Sequence, residues 1–205
     1  MSSHEFPRDA THANSELTVI NLFGPPGIGK SSLKSGLFWH MKSRHESVEE
    51  VQEYAKYLTI TERTWQLREE QLYLFAKQHH SMFVLRGKYE FCITDSPLLL
   101  TAYYAPKDVT PPAFYDCVYQ YNKTFKNINF FVHRDLSDPE QYFEEQGRWH
   151  KREDSIRIEK EQRLFLDSLG VEYIDIPLNQ DAPGLIYDHL KNPSVFSSLV
   201  EDRQP

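Results

Sequence analysis

Residues 24–31 read Gly-Pro-Pro-Gly-Ile-Gly-Lys-Ser and meet every fixed position of the pattern G-x-x-x-x-G-K-[ST]. Such a loop holds a phosphate only if a strand delivers the chain to it and a helix leaves it. The apolar run 17–23 supplies the strand, and 29–42, broken only by Gly36, supplies the helix. Gly24, Gly27 and Gly29 let the backbone curl so that its N–H groups face one phosphate, with Pro25, Pro26 and Ile28 at the variable positions. The helix start adds its positive dipole end to the same place. Lys30 is expected to reach the outer phosphates as a point charge, and the Ser31 hydroxyl to bind Mg²⁺, with Ser32 beside them. A glycine turn that binds nothing is the bland alternative.

The rest of the chain has a matching rhythm. Strands are expected at 17–23, 47–53, 89–95, 127–133 and 171–176. Helices are expected at 29–42, 62–82, 112–124, 153–169 and 182–190, with Gly170 as the stop of the fourth. Strands alternating with helices imply an α/β fold: a doubly wound, mostly parallel five-stranded sheet with helices on both faces. Residues 1–15 read as a loose tail, 16–192 as one domain and 193–205 as a fraying end. In sheets of this kind ligands sit beyond the strand C-termini. Gly24, Glu53, Asp95 and Arg134 all fall there.

The 205 residues carry a formal charge of −7, which argues against a protein that coats nucleic acid non-specifically. The two cysteines, Cys92 and Cys117, lie in apolar surroundings and are expected to be reduced core thiols; no Cys/His spacing suggests zinc. No apolar run reaches membrane-spanning length and the N-terminus lacks a signal-peptide core, so a cytoplasmic compartment is expected.

Asp95 ends an apolar strand and precedes Ser96-Pro97. A carboxylate at this point can serve the metal opposite the Ser31 hydroxyl, or stand beside the attacking oxygen in phosphoryl transfer; capping the next helix is the structural alternative. Glu53 can hold a sugar hydroxyl and Tyr54 can stack on a ring. Gln71, on the long helix 62–82, can bond a base or amide edge, and Tyr103, with Tyr104, can line the same pocket. The stretch 138–152 is polar and poor in apolar anchors, and reads as a mobile lid. Within it, Gly147-Arg148 and Arg152 are candidates to neutralise charge that grows on a transferred phosphoryl group. Arg134 is a further candidate for nucleotide contact.

Taken together, the loop 24–31, Glu53-Tyr54-Ala55-Lys56, Gln71, Ile93-Thr94-Asp95-Ser96-Pro97 and Gly147-Arg148 resemble a P-loop kinase group. It is the AAA-type ATPase and nucleoside-kinase-like group that includes the ribosylnicotinamide kinase domains of NAD-salvage regulators. The likeness is greatest to its stand-alone bacteriophage members. The resemblance covers about 17–176. It implies a P-loop NTPase fold, ATP and Mg²⁺ as cofactors, and transfer to a hydroxyl of a nucleoside, nucleotide or hydroxymethyl pyrimidine, with DNA entering only as acceptor. It places Lys30 and Ser31 on Mg-ATP, Asp95 at the reacting hydroxyl or metal, and Arg148 in the lid. Where NAD-salvage kinases end the third strand in Asp-Thr-Asp, this chain has Thr94-Asp95-Ser96. A switch-like ATPase or GTPase and a nucleotide-binding interaction protein are the rival readings, and the sequence leaves oligomeric state, a homodimer included, open.

Overall fold

The structure, a computed structural model, describes residues 16–134 and 152–193. The expected tails, apart from Pro193, and the expected lid with Arg148 lie outside the described residues, and of Arg152 only the backbone is described. The elements run β1 (Thr18–Phe23), α1 (Lys30–Lys42), β2 (Val48–Val51), α2 (Tyr54–Ile60), α3 (Thr64–Glu69), α4 (Gln71–Phe83) and β3 (Phe91–Thr94). After them come α5 (Leu99–Tyr104), α6 (Pro112–Asn122), β4 (Lys126–Arg134), α7 (Arg152–Ser168), β5 (Ile174–Leu178) and α8 (Ala182–Lys191).

The strands form a single five-stranded sheet in the order β2-β3-β1-β4-β5, parallel throughout. β1 is central, and all six of its residues are buried because both faces are covered. Alternate side chains feed two cores. Val19, Phe23, Cys92 and Phe131 pack on one face with Phe75 and Met82 of α4, Leu99 of α5, Val118 of α6 and Leu166 of α7. Ile20, Leu22, Ile93, Phe130 and Val132 pack on the other with Leu33, Leu37 and Met41 of α1 and with Ala182 and Ile186 of α8. Both cysteines are free thiols. Cys92 is buried, which pushes its thiol up to about 12, whereas Cys117 is half-buried and packs against the edge of the core.

Three expectations are corrected. The long helix expected at 62–82 is two helices, broken at Glu70, whose φ and ψ are −118° and 43°. The break is stabilised locally: the Gln71 side-chain amide donates to the Leu67 carbonyl, one of the groups a helix end leaves without a partner. Residues 54–60, where no helix was expected, form α2. The last strand starts at Ile174 rather than 171, because the Val171 N–H closes the end of α7 on the Leu166 carbonyl at 3.0 Å. Gly170, at φ 63°, makes that reversal, as expected of a stop residue. β5 pairs only with β4, and this edge position accommodates Pro177 within the strand.

Candidate functional site

Parallel pairing puts every strand C-terminus at one edge. The register aligns Asn21 of β1 with Thr94 of β3 and Phe23 with Phe131 of β4. The loop after β1 therefore emerges between Asp95, just past β3, and the end of β4. It turns on three left-handed glycines, Gly24 at φ 132°, Gly27 at 82° and Gly29 at 102°. The first has a second reason to be glycine, since a Cβ there would lie 2.4 Å from the Val132 carbonyl oxygen. Ile28 is buried in the core under α1, so the loop is anchored by its one aliphatic side chain.

Lys30 opens α1 and is buried; its Nζ donates to the carbonyls of Gly24 and Pro25, 2.7 Å each. Ser31 Oγ donates to Asp95 Oδ2 at 2.7 Å. Ser32, next in the chain, is exposed on α1. The other Asp95 oxygen takes Lys34 Nζ at 2.9 Å, and Lys34 also donates to the Val51 carbonyl at 3.1 Å. Asp95 and Lys34 are both buried, so this is an internal ion pair. Burial alone would raise the Asp95 carboxyl. The Lys34 charge, the hydrogen bonds from Ser31 and Lys34 and the nearby Lys30 outweigh it and hold the group below its usual range. Asp95 is engaged by α1 and does not cap α5, which begins without a side-chain cap. Lys34 is one residue that sequence reasoning missed. Its signal was present: with Lys30, Leu33, Leu37 and Met41 it lies on the buried stripe of α1, where an unpaired lysine would be expensive.

Beside this cluster opens a cavity of about 420 Å³, within the usual size range of small-molecule sites. Gly24, Pro26, Lys30, Ser31, Asp95 and Ser96 are part of its lining, together with Glu53, Gln71 and Tyr104 among others. Glu53 and Gln71, both candidates from the sequence, line this one cavity. Gln71 is buried and donates its amide N–H to the Leu67 carbonyl.

Two aromatic expectations are redistributed. Tyr54 is not among the lining residues; it stacks on Tyr57, with ring centroids 5.6 Å apart, and its hydroxyl is 3.3 Å from that of Tyr73. Tyr103 turns away and donates to Glu161 Oε2 at 2.9 Å, while its neighbour Tyr104 takes the place in the lining. Arg134 lies outside the lining too. Its Nη2 donates to Ser155 Oγ at 2.9 Å, and Ser155 in turn donates to the Pro26 carbonyl at 3.0 Å. Arg134 is thus one hydrogen bond removed from the loop.

Neither a helix long and apolar enough to cross a membrane nor a His/Cys/Asp/Glu cluster fit for a metal occurs among the described residues. A match to the family described as an AAA domain runs over residues 19–182. No curated protein matches the chain. Among solved structures, a deoxyadenosine kinase from M. mycoides with bound dATP is similar at 15% identity and a TM-score of 0.47, over 85% of this chain and 100% of that one. Since the family match reaches from β1 through the phosphate loop, Asp95 and the remaining strands to the first residue of α8, the chain belongs to the AAA domain family.

Proposed function

We propose that this chain is an ATP-dependent kinase that transfers the γ-phosphate to a hydroxyl of a nucleoside, a nucleotide or a hydroxymethyl pyrimidine. The observation that carries the reading is continuity: one cavity joins the phosphate loop, Ser31 and Asp95 to a space lined by Glu53, Gln71 and Tyr104. A nucleotide switch needs the first part and has no use for the second.

The loop suits ATP, because its left-handed glycines remove the side chains that would crowd a phosphate. The Ser31 hydroxyl and the Asp95 carboxylate, 2.7 Å apart, are hard oxygen donors suited to Mg²⁺. Ser31 and Asp95 would hold the magnesium, which would supply neutralisation of phosphate charge. Lys30 exchanges its two carbonyl partners for phosphate oxygens. Glu53 and Gln71 orient the acceptor so that its hydroxyl meets the γ-phosphorus in line with the leaving oxygen. The new O–P bond forms as the bond to the β-phosphate oxygen breaks, the hydroxyl proton passes to Asp95 or to water, and ADP leaves. Asp95, with its carboxyl held low, is a weak base. That suffices for a loose transition state in which positioning and charge stabilisation dominate. Arg148 and Arg152 are assigned to the charge on the transferred group, as the sequence pattern suggests. Resemblance to stand-alone phage members adds hydroxymethyl pyrimidine to the acceptors, and the host cytoplasm to the compartments, worth testing.

The test is transfer of label from γ-labelled ATP, with Mg²⁺, to a panel of nucleosides, nucleoside monophosphates and short DNAs bearing hydroxymethyl pyrimidines. The expected result is a labelled acceptor and ATP consumption that depends on it. ATP hydrolysed equally fast without acceptor overturns the kinase in favour of a switch, and binding without consumption overturns it in favour of an interaction protein.

A further inference from the structure

α7 crosses the phosphate loop and holds it with two side chains that are wholly buried, Ser155 and Gln162. They are seven residues apart, two helical turns, and so share a face. Ser155 takes the loop at the Pro26 carbonyl. Gln162 takes it at its first residue: the Gly24 N–H donates to Gln162 Oε1 at 3.2 Å. The other end of the same amide, Gln162 Nε2, donates to the Tyr104 hydroxyl at 3.2 Å. Tyr104 lies at the end of α5 and lines the space assigned above to the acceptor. The orientation of the Gln162 amide is forced, because only its oxygen can receive the Gly24 N–H.

From this geometry we propose that Gln162 is a positioning residue that couples the acceptor cavity to the phosphate loop. Its carboxamide is planar and rigid, so it cannot turn to follow Tyr104 without moving off Gly24, and the reverse holds equally. A ligand that fixes Tyr104 thereby fixes the backbone that cradles the nucleotide, and by linkage bound nucleotide favours the Tyr104 position that the acceptor needs. The inference rests on the reading of the cavity as an acceptor site. Its core, communication between Tyr104 and the loop, is nevertheless measurable without any phosphoryl transfer.

The experiment is a double-mutant cycle on Mg-ADP affinity in the full chain, using Gln162→Met, Tyr104→Phe and the pair. Gln162→Met is expected to weaken Mg-ADP roughly three- to tenfold, the range of one hydrogen bond. Tyr104→Phe keeps the ring in the cavity and removes only the hydroxyl, yet it should also weaken Mg-ADP, by roughly two- to fivefold. In the Gln162→Met background Tyr104→Phe should have no further effect. Losses that simply multiply, or a Tyr104→Phe variant that binds Mg-ADP like the parent, overturn the proposal.

Hydrogen exchange gives a second measurement that does not need Gln162→Met to fold. In Tyr104→Phe the amides of Gly24, Gly27 and Ile28 should exchange faster in the nucleotide-free protein, while those of β5 stay unchanged. An unchanged loop overturns the coupling, and a uniform rise across the chain reveals a merely structural defect and overturns it as well. If no acceptor is ever phosphorylated but the cycle shows coupling, the kinase reading falls and this one stands.

Discussion

Asp95 is the residue to which the proposed reaction assigns the acceptor hydroxyl or the metal, and its ion pair is made with Lys34. The pair is internal at 2.9 Å, with side chains 2% and 6% exposed. Removing one partner of a buried pair leaves the other charge without compensation, which costs about 3–5 kcal/mol. Lys34→Met is therefore expected to destabilise the chain by about that amount, read by urea denaturation near neutral pH, and a loss within experimental error would show that the pair is not held in solution. The acid response follows from the same contacts. The folded Asp95 carboxyl is held below its unfolded value, so its stabilisation is fully present above the ordinary carboxylate range, near pH ~4. It is lost as the pH falls through that range toward the folded value. Asp95→Asn should accordingly flatten the fall in unfolding free energy between about pH 5 and 3, and an unaltered slope would place the acid-sensitive carboxyl elsewhere.

At the level of elements, α1 is built for two neighbours at once. One stripe carries Leu33, Leu37 and Met41 into the core together with Lys30 and Lys34. Gly36, which looks from the sequence like a flaw in the helix, faces α8: a Cβ there would stand 3.4 Å from Pro183 Cγ, an ordinary contact. The space admits a methyl group, and alanine is better than glycine in a helix interior by roughly 1 kcal/mol. Gly36→Ala should thus be neutral to stabilising by up to about 1 kcal/mol, with the melting temperature as readout, and a marked drop would mean that α8 sits closer than the structure shows. Gly24→Ala is the opposite case. Its left-handed φ of 132° and the 2.4 Å approach to the Val132 carbonyl forbid a side chain. It should displace the loop and abolish Mg-ADP binding even where the fold survives, measured by calorimetry.

Over the whole molecule, the sheet order brings the phosphate loop, Asp95 and the cavity to a single edge. Ligand that binds only the folded state stabilises it, by about 2.7 kcal/mol at a free concentration 100 times Kd. Mg-ADP should raise the melting temperature in proportion, and Lys30→Ala should abolish that rise. The structure adds a correction to the simplest expectation for this variant. Lys30 also satisfies the Gly24 and Pro25 carbonyls, so the ligand-free variant should melt a little lower, by about 1–3 kcal/mol in stability at most. A full Mg-ADP shift in Lys30→Ala would remove the phosphate-loop reading.

Local patterns were enough to expose the alternation of strands and helices, the loop 24–31, the stop at Gly170 and the carboxylate after β3. Each is dictated within a few residues: glycine where φ must be positive, an apolar run where both sheet faces are covered, an acidic side chain where a buried strand ends. Glu53 and Gln71 belong with these only in part, because their pattern marked them as candidates while the cavity that unites them is made by helices distant in sequence. Tertiary structure alone decided the rest. It broke the helix at Glu70, where the Gln71 side chain could close the end that the break opened. It chose Tyr104 over Tyr103, since adjacent helical side chains point about 100° apart and only packing selects which one meets the cavity. It also set Lys34 on Asp95 and Gln162 on Gly24, contacts that span 61 and 138 residues of chain. No local periodicity encodes such separations, because they are determined by the order in which strands pair and by which helix face the sheet then covers.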